Sequence, residues 1–122
     1  MKLHLNTTTG QNTIFGYGAG FIDVNGTRLV HPVIVTPKTI ISPWKVRDIG
    51  NPAFDDFSQL IALAPTIVVF GSGSQFRFPA PEILAAFSQA RIGFDVMDTG
   101  AACRTYNVLM SEGRNVAAAL LV

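Results

Sequence analysis

The chain has 122 residues, of which 48% are hydrophobic and only 14% are charged, with a net charge of +1. Ordinary soluble domains carry roughly 25% charged residues, so this composition leaves no basic field for nucleic acid. Apolar surface left outside the core is expected to mark a partner or ligand site. The length suits a single domain that buries roughly two thirds of its unfolded surface, with residues 1–12 flexible, 13–44 β-rich and 51–122 α/β.

From the amino terminus, MKLHLNTTTG lacks the apolar stretch of a secretory signal. The longest apolar runs, TIVVF and VAAALLV, fall far short of the roughly 20 residues that cross a bilayer, so a cytoplasmic protein without membrane insertion is expected. GFIDV and TRL flank Asn25-Gly26, a pair that suits a tight type I′ turn and predicts a β-hairpin. Two short strands follow, HPVIV and TII, each stopped by a proline (Pro37, Pro43) that cannot donate to a ladder, and Trp44 falls in a connecting loop. Asn51 and Pro52 read as the cap and first residue of a helix. Phe54, Phe57, Leu60, Ile61 and Ala64 recur along it at helical spacing, with Asp55 and Asp56 near its positive end.

Beyond Pro65 the run from Thr66 to Gly71 is continuous and β-branched, as in strands buried on both faces of a parallel sheet. Next come the loop GSGSQFRFP, a helix from about Pro81 to Ala90, the strand GFDVM, a helix around AACRTYNVLMS and a last strand VAAALLV. Strands that alternate with helices predict an α/β domain of βαβ crossovers, with the hairpin region added in front.

Two places offer chemistry. Along the last helix Ala102, Cys103, Tyr106, Leu109 and Met110 share one arc suited to burial, and Arg104, Asn107 and Ser111 form a polar stripe beside it. Arg104 in the first turns and Glu112 in the last both oppose the helix dipole, so neither is there to stabilise the helix. Two readings of Arg104 stand together: it pairs with Asp98 or another carboxylate at the strand end to clamp the loop, or it holds an anion. Cys103 reads as a small core residue ahead of a nucleophile, although a helix start lowers a thiol's pKa.

The second place is Gly71-Ser72-Gly73-Ser74, which leaves the carboxyl end of the presumed central strand, where open α/β sheets bind ligands. It lacks the spacing and lysine of a nucleotide loop. A candidate ligand pocket therefore comprises Gly71, Ser72, Gly73, Ser74, Asp98, Thr99, Arg104 and Asn107. Gly16 to Gly20 looks like a glycine fingerprint but leads into a strand, so close packing or a bulge explains it better. Asp95 is expected to face out of its strand. Cys103 is the only cysteine, and His4 and His31 stand apart without ligand spacing, so no disulfide, metal site or cofactor is read and no catalytic residue is assigned.

The run MDTGAACRTYNVLMSEGRNVAAAL, with FGSG upstream and GYGAGFIDVNG near the start, resembles a small family of bacterial and archaeal proteins. That family also takes in mitochondrial complex I assembly factor 3 and the adipogenesis-associated human protein. The likeness runs from about Gly16 to Leu120. It implies a three-layer α/β fold with a mixed central sheet flanked by helices and an added N-terminal β-hairpin layer. It further implies, by analogy with the mitochondrial member, a non-enzymatic assembly or scaffold factor whose partners are respiratory complex subunits or other assembly factors. The alternatives are a protein that binds an anionic small molecule, or an enzyme, using the pocket around Gly71–Ser74 and Arg104. A further one is a thiol redox sensor at Cys103, which needs a resolving thiol from another molecule.

Overall fold

The computed structural model describes residues 10–46, 48 and 50–122. Strands β1 (Ile14–Gly18), β2 (Phe21–Val24) and β3 (Thr27–Leu29) form an antiparallel three-stranded sheet. Asn25 and Gly26 connect β2 to β3 with φ of 56° and 91°, the positive pair that a type I′ turn requires. β1 was not foreseen as a strand: its glycines hide it, and its register slips between Ile14 and Gly16 at the bulge that those glycines suggest. Of the stretch expected to be flexible, residues 1–9 lie outside the described residues. Asn12 is tied down, its N–H donating to Pro37 O at 2.9 Å and its side chain to Thr36 O at 2.9 Å.

Five further strands, β4 (Val33–Val35), β5 (Ile40–Ile41), β6 (Ile67–Gly71), β7 (Gly93–Met97) and β8 (Val116–Leu120), make a second sheet in the order β5-β4-β8-β6-β7. β8, β6 and β7 run parallel, whereas β4 is antiparallel to both β8 and β5, so the sheet is mixed as expected. The helices are α1 (Ser58–Leu63), α2 (Pro81–Gln89) and α3 (Thr99–Ser111).

Side chains alternate across this sheet and define two cores. Ile34, Val68, Phe70, Ala117, Ala119 and Leu121 meet Phe57 and Leu60 of the α1 segment, Ile83 and Phe87 of α2, and Trp44. Val33, Val35, Val69, Val116, Ala118 and Leu120 meet α3 through Ala102, Cys103, Tyr106 and Met110, and the small sheet through Ile14, Ile22 and Val24. The result is three layers: α1 and α2, then the five-stranded sheet, then α3 side by side with the three-stranded sheet.

The first helix departs from expectation at its start. Residues Phe54–Phe57 form a 3-10 turn, and α-helical geometry begins only at Ser58. The capping oxygen comes from inside that turn, where the Asp56 carboxylate accepts from Ala53 N–H at 2.7 Å, so Asn51 and Pro52 lie before the helix. Trp44 sits in a loop as expected but is buried, its indole N–H donating to Asp56 O at 2.7 Å. The other strands and helices fall where the periodicity put them, with β4 shortened to Val33–Val35 because Pro32 cannot donate.

Candidate functional site: a cleft at the carboxyl ends of the parallel strands

The crossover from β6 to β7 runs through α2 on one face of the sheet, and that from β7 to β8 runs through α3 on the other. Because the first crossover moves outward and the second returns past β6, strand order reverses between β6 and β8. A cleft of about 560 Å³ opens at the carboxyl ends of these strands. Its walls are the β1–β2 turn (Tyr17 to Gly20), Gly73 and Ser74 after β6, Asp98 to Gly100 at the start of α3, and Leu121 and Val122 after β8.

Close approach of α3 to β6 builds the floor. A Cβ on Gly71 would lie 2.9 Å from both Cα and Oγ1 of Thr99, so only glycine admits the helix here. Thr99 is buried, and its hydroxyl donates to Leu121 O at 2.6 Å while accepting from Gly73 N–H at 2.8 Å. Thr99 N–H in turn donates to Gly73 O at 2.9 Å. One side chain thus fastens the ends of β6 and β8 to the start of α3. Asp98 caps α3 by accepting from Ala101 N–H at 2.9 Å. Gly100 leaves room for the Tyr17 ring, which would stand 2.8 Å from a Cβ placed there.

The two predicted segments do meet, since Gly73, Ser74, Asp98 and Thr99 all line the cleft. Gly71 and Ser72 support it from behind, the Ser72 hydroxyl donating to Gln75 O at 2.6 Å and accepting from Arg77 N–H at 3.0 Å. Arg104 and Asn107 do not line it. The Arg104 guanidinium donates to the Tyr17 hydroxyl and lies 5.9 Å from the centre of that ring, so its partner is an aromatic residue and not Asp98. The Asn107 amide binds Ile14 twice, accepting from its N–H at 3.0 Å and donating to its C=O at 2.7 Å, as a neighbouring strand would. Tyr106 donates to Asn12 O at 2.7 Å. Ser111 returns to its own helix, donating to Val108 O at 2.8 Å.

Cys103 is buried in the core beneath α3, and loss of solvation pushes its thiol up to about 12 against a smaller opposing pull from Arg104. Burial likewise raises Tyr106 above the ordinary tyrosine value. Both stay protonated at neutral pH, which favours the core role of Cys103 over a nucleophile. Asp95 is exposed on β7 as expected, and Asp56 serves the first helix. Sequence reasoning missed the run from Tyr17 to Gly20 together with Gly100, Leu121 and Val122 as cleft residues. The GYGAG run was the available signal, because a strand pair that turns on small residues leaves space at its tip.

A three-layer α/β domain with a hairpin-walled cleft at the switch point of its sheet is the class that these features define. The chain belongs to the family of proteins of unknown function designated DUF498/DUF598, whose family model matches residues 14–121. It is 38% identical over 104 residues to NADH dehydrogenase (ubiquinone) 1 alpha subcomplex assembly factor 3 of Xenopus tropicalis, a match covering 84% of this chain and 56% of that protein. The chain therefore spans little more than half the length of this relative. Among solved structures it resembles a Bordetella parapertussis protein with a TM-score of 0.83 at 36% identity, covering 91% of this chain and 95% of the other. It also resembles a Bordetella pertussis protein described as an Mth938-like domain, with a TM-score of 0.81 at 31% identity, covering 99% and 92% of the two chains. The expected fold and family both hold. No helix among the described residues is long and apolar enough to cross a membrane.

Proposed function

We propose that this protein is a non-enzymatic assembly or scaffold factor that docks on subunits of a respiratory complex or on a companion assembly protein. The observation that carries this reading is its 38% identity to a protein named for assembly of NADH dehydrogenase. The surface supports it. Phe76 and Phe78 are 57% and 63% exposed, pack edge to face at 4.9 Å, and ride on a loop held by Arg77, whose guanidinium donates to Gly50 O at 2.9 Å. Two aromatic rings held in water by a fixed loop suit an interface. Work in the cytoplasm is part of this reading and is checked by fractionating the host. Affinity purification at native expression is expected to recover respiratory NADH dehydrogenase subunits or a companion factor, and a clean set of partners without them refutes it.

A second reading, a pocket for a small molecule, rests on the 560 Å³ cleft between Tyr17 and Thr99. Asp98 is the charged side chain among its lining residues, and Arg104 reaches it only through Tyr17. The ligand that suits it therefore presents a hydrogen-bond donor or a cation to Asp98, in place of the anion that the sequence suggested. A metabolite thermal-shift screen tests this, since a ligand at 100 times its Kd adds about 2.7 kcal/mol. A shift that survives Asp98→Asn speaks against the cleft.

A further inference from the structure

β7 ends the order of the five-stranded sheet, so one side of it has no strand beside it among the described residues. The phase of its hydrogen bonds is fixed at both ends: Gly93 N–H donates to Thr66 O at 3.0 Å, and Met97 O accepts from Ser72 N–H at 2.9 Å. Because backbone groups alternate along a strand, those of Gly93, Asp95 and Met97 point toward β6. The N–H and C=O of Phe94 and Val96 point outward.

Beside this edge runs a groove of about 570 Å³ lined by Phe78, Leu84, Ser88, Ile92, Phe94 and Val96, with Asp95 at its border. Phe94 and Val96 face the aromatic core, whereas Asp95, in register with Val69, faces the α3 side. We propose that the β7 edge takes an extended segment of another protein as a sixth strand. That segment carries apolar side chains that enter the groove on either side of a lysine or arginine that meets Asp95. This deepens the assembly-factor reading by naming its docking surface, and it rests on that reading for the identity of the partner.

Asp95 selects this occupant over a second copy of the chain. Antiparallel self-pairing over the full strand matches Phe94 with Val96 of the copy and places the two Asp95 carboxylates directly opposite each other, at the close spacing of a non-hydrogen-bonded pair. Registers that avoid this clash shorten the overlap of a strand only five residues long. Asp95 is exposed and has no ion pair among the described residues, so its charge is available to a cation across the new ladder. A strand edge that merely needed protection from aggregation would require the charge but not the apolar groove beside it.

The test uses the isotope-labelled chain and two short synthetic peptides. Both alternate valine at the groove positions with threonine, one having a central arginine and the other a central glutamate. The arginine peptide is expected to bind roughly five-fold more tightly, as an opposed charge pair replaces a like one. It should protect the Phe94 and Val96 amides from hydrogen exchange. Asp95→Arg, a surface change that leaves the core untouched, should invert the preference. Equal affinity for both peptides, a preference unchanged in Asp95→Arg, or protection elsewhere overturns the proposal. Protection of the same two amides by raising the chain's own concentration, with dimer formation, overturns it in favour of self-pairing. Should the peptides behave as expected while native purification yields no respiratory subunits, the edge stands and the assembly reading falls. If Asp95→Arg recovers respiratory subunits as well as the unaltered chain does, the assembly reading stands and the edge falls as its docking surface.

Discussion

The two faces of the five-stranded sheet are covered in opposite ways. On the α1 and α2 face, rings do the work: Phe57 lies 5.4 Å from Trp44, 5.7 Å from Phe70 and 6.1 Å from both Phe87 and Phe94. Contacts of this kind are broad, non-directional and scale with area. On the α3 face the apolar side chains are smaller, and the helix is registered by directional bonds from Tyr106 to Asn12, Asn107 to Ile14 and Arg104 to Tyr17. Three helical residues thus hold β1 and the residues just before it, from Asn12 to Tyr17. The first face supplies bulk stability, and the second sets where the hairpin stands, which in turn sets the width of the cleft.

The largest effect therefore belongs to the aromatic face. Phe57→Ala is expected to cost about 3–5 kcal/mol, because its ring is fully buried and leaves a cavity among four others. Chemical denaturation measures it. A loss below about 1 kcal/mol would show that this cluster is not the main store of stability. On the α3 face Asn107→Leu is expected to cost less, about 1–3 kcal/mol, by leaving the Ile14 N–H and C=O without partners at a half-buried seam. Its signature is local. Hydrogen exchange should accelerate at Ile14 while amides in β6 and β8 keep their protection, a separation that Phe57→Ala should not show.

The buried acids beneath α3 give the same face a pH dependence. Cys103 is held from 9.0 up to about 12, so above pH 9 the unfolded chain releases this proton while the folded chain keeps it. The unfolded state then binds fewer protons, and stability falls as pH rises. The full contribution is present below pH 9, and the loss runs at about 1.4 kcal/mol per pH unit between pH 9 and 12. Tyr106, raised above its ordinary value by the same burial, steepens the fall at the alkaline end. In Cys103→Ala the slope from pH 9 to 12 should be shallower by one proton. An unchanged slope would place the thiol in contact with water.

Much of this division was legible beforehand. Periodicity placed α2, α3, β6 and β7, because β-branched runs and helical spacing are properties of contiguous residues. The Asn25-Gly26 turn was legible for the same reason. Of the arc of Ala102, Cys103, Tyr106, Leu109 and Met110, four are buried and Leu109 is half-buried against the same core. What could not be read was the target of the polar stripe. Arg104, Asn107 and Ser111 share a helical face, yet Arg104 and Asn107 reach Tyr17 and Ile14 some ninety residues earlier, while Ser111 turns back three residues within its helix. Helical spacing reports which side chains point the same way and carries no information on what lies opposite. The cleft was half visible for the same reason: the Gly71 loop and Asp98 follow from strand ends. The hairpin wall depends on β1, whose glycines and bulge concealed its period of two.

The smallest effect is expected at Arg104, and it is the one that separates bracing from binding. Arg104 is exposed, and truncating a surface side chain of this kind shifts stability by no more than about 0.5 kcal/mol. The change should instead appear in position and mobility. In Arg104→Ala the Tyr17 ring loses its hydrogen bond and its cation, so the ring's NMR signals and the amides of Gly18 to Gly20 should shift while the melting temperature hardly moves. Arg104→Lys keeps the charge but loses the planar fork that bonds the hydroxyl while lying near the ring, so it should behave more like alanine than like arginine. If lysine restores the wild-type signals, charge alone held the ring. If neither variant disturbs Tyr17, the hairpin tip is set by Gly100 and the packing beneath it, and the directional face of the sheet extends no further than Asn107.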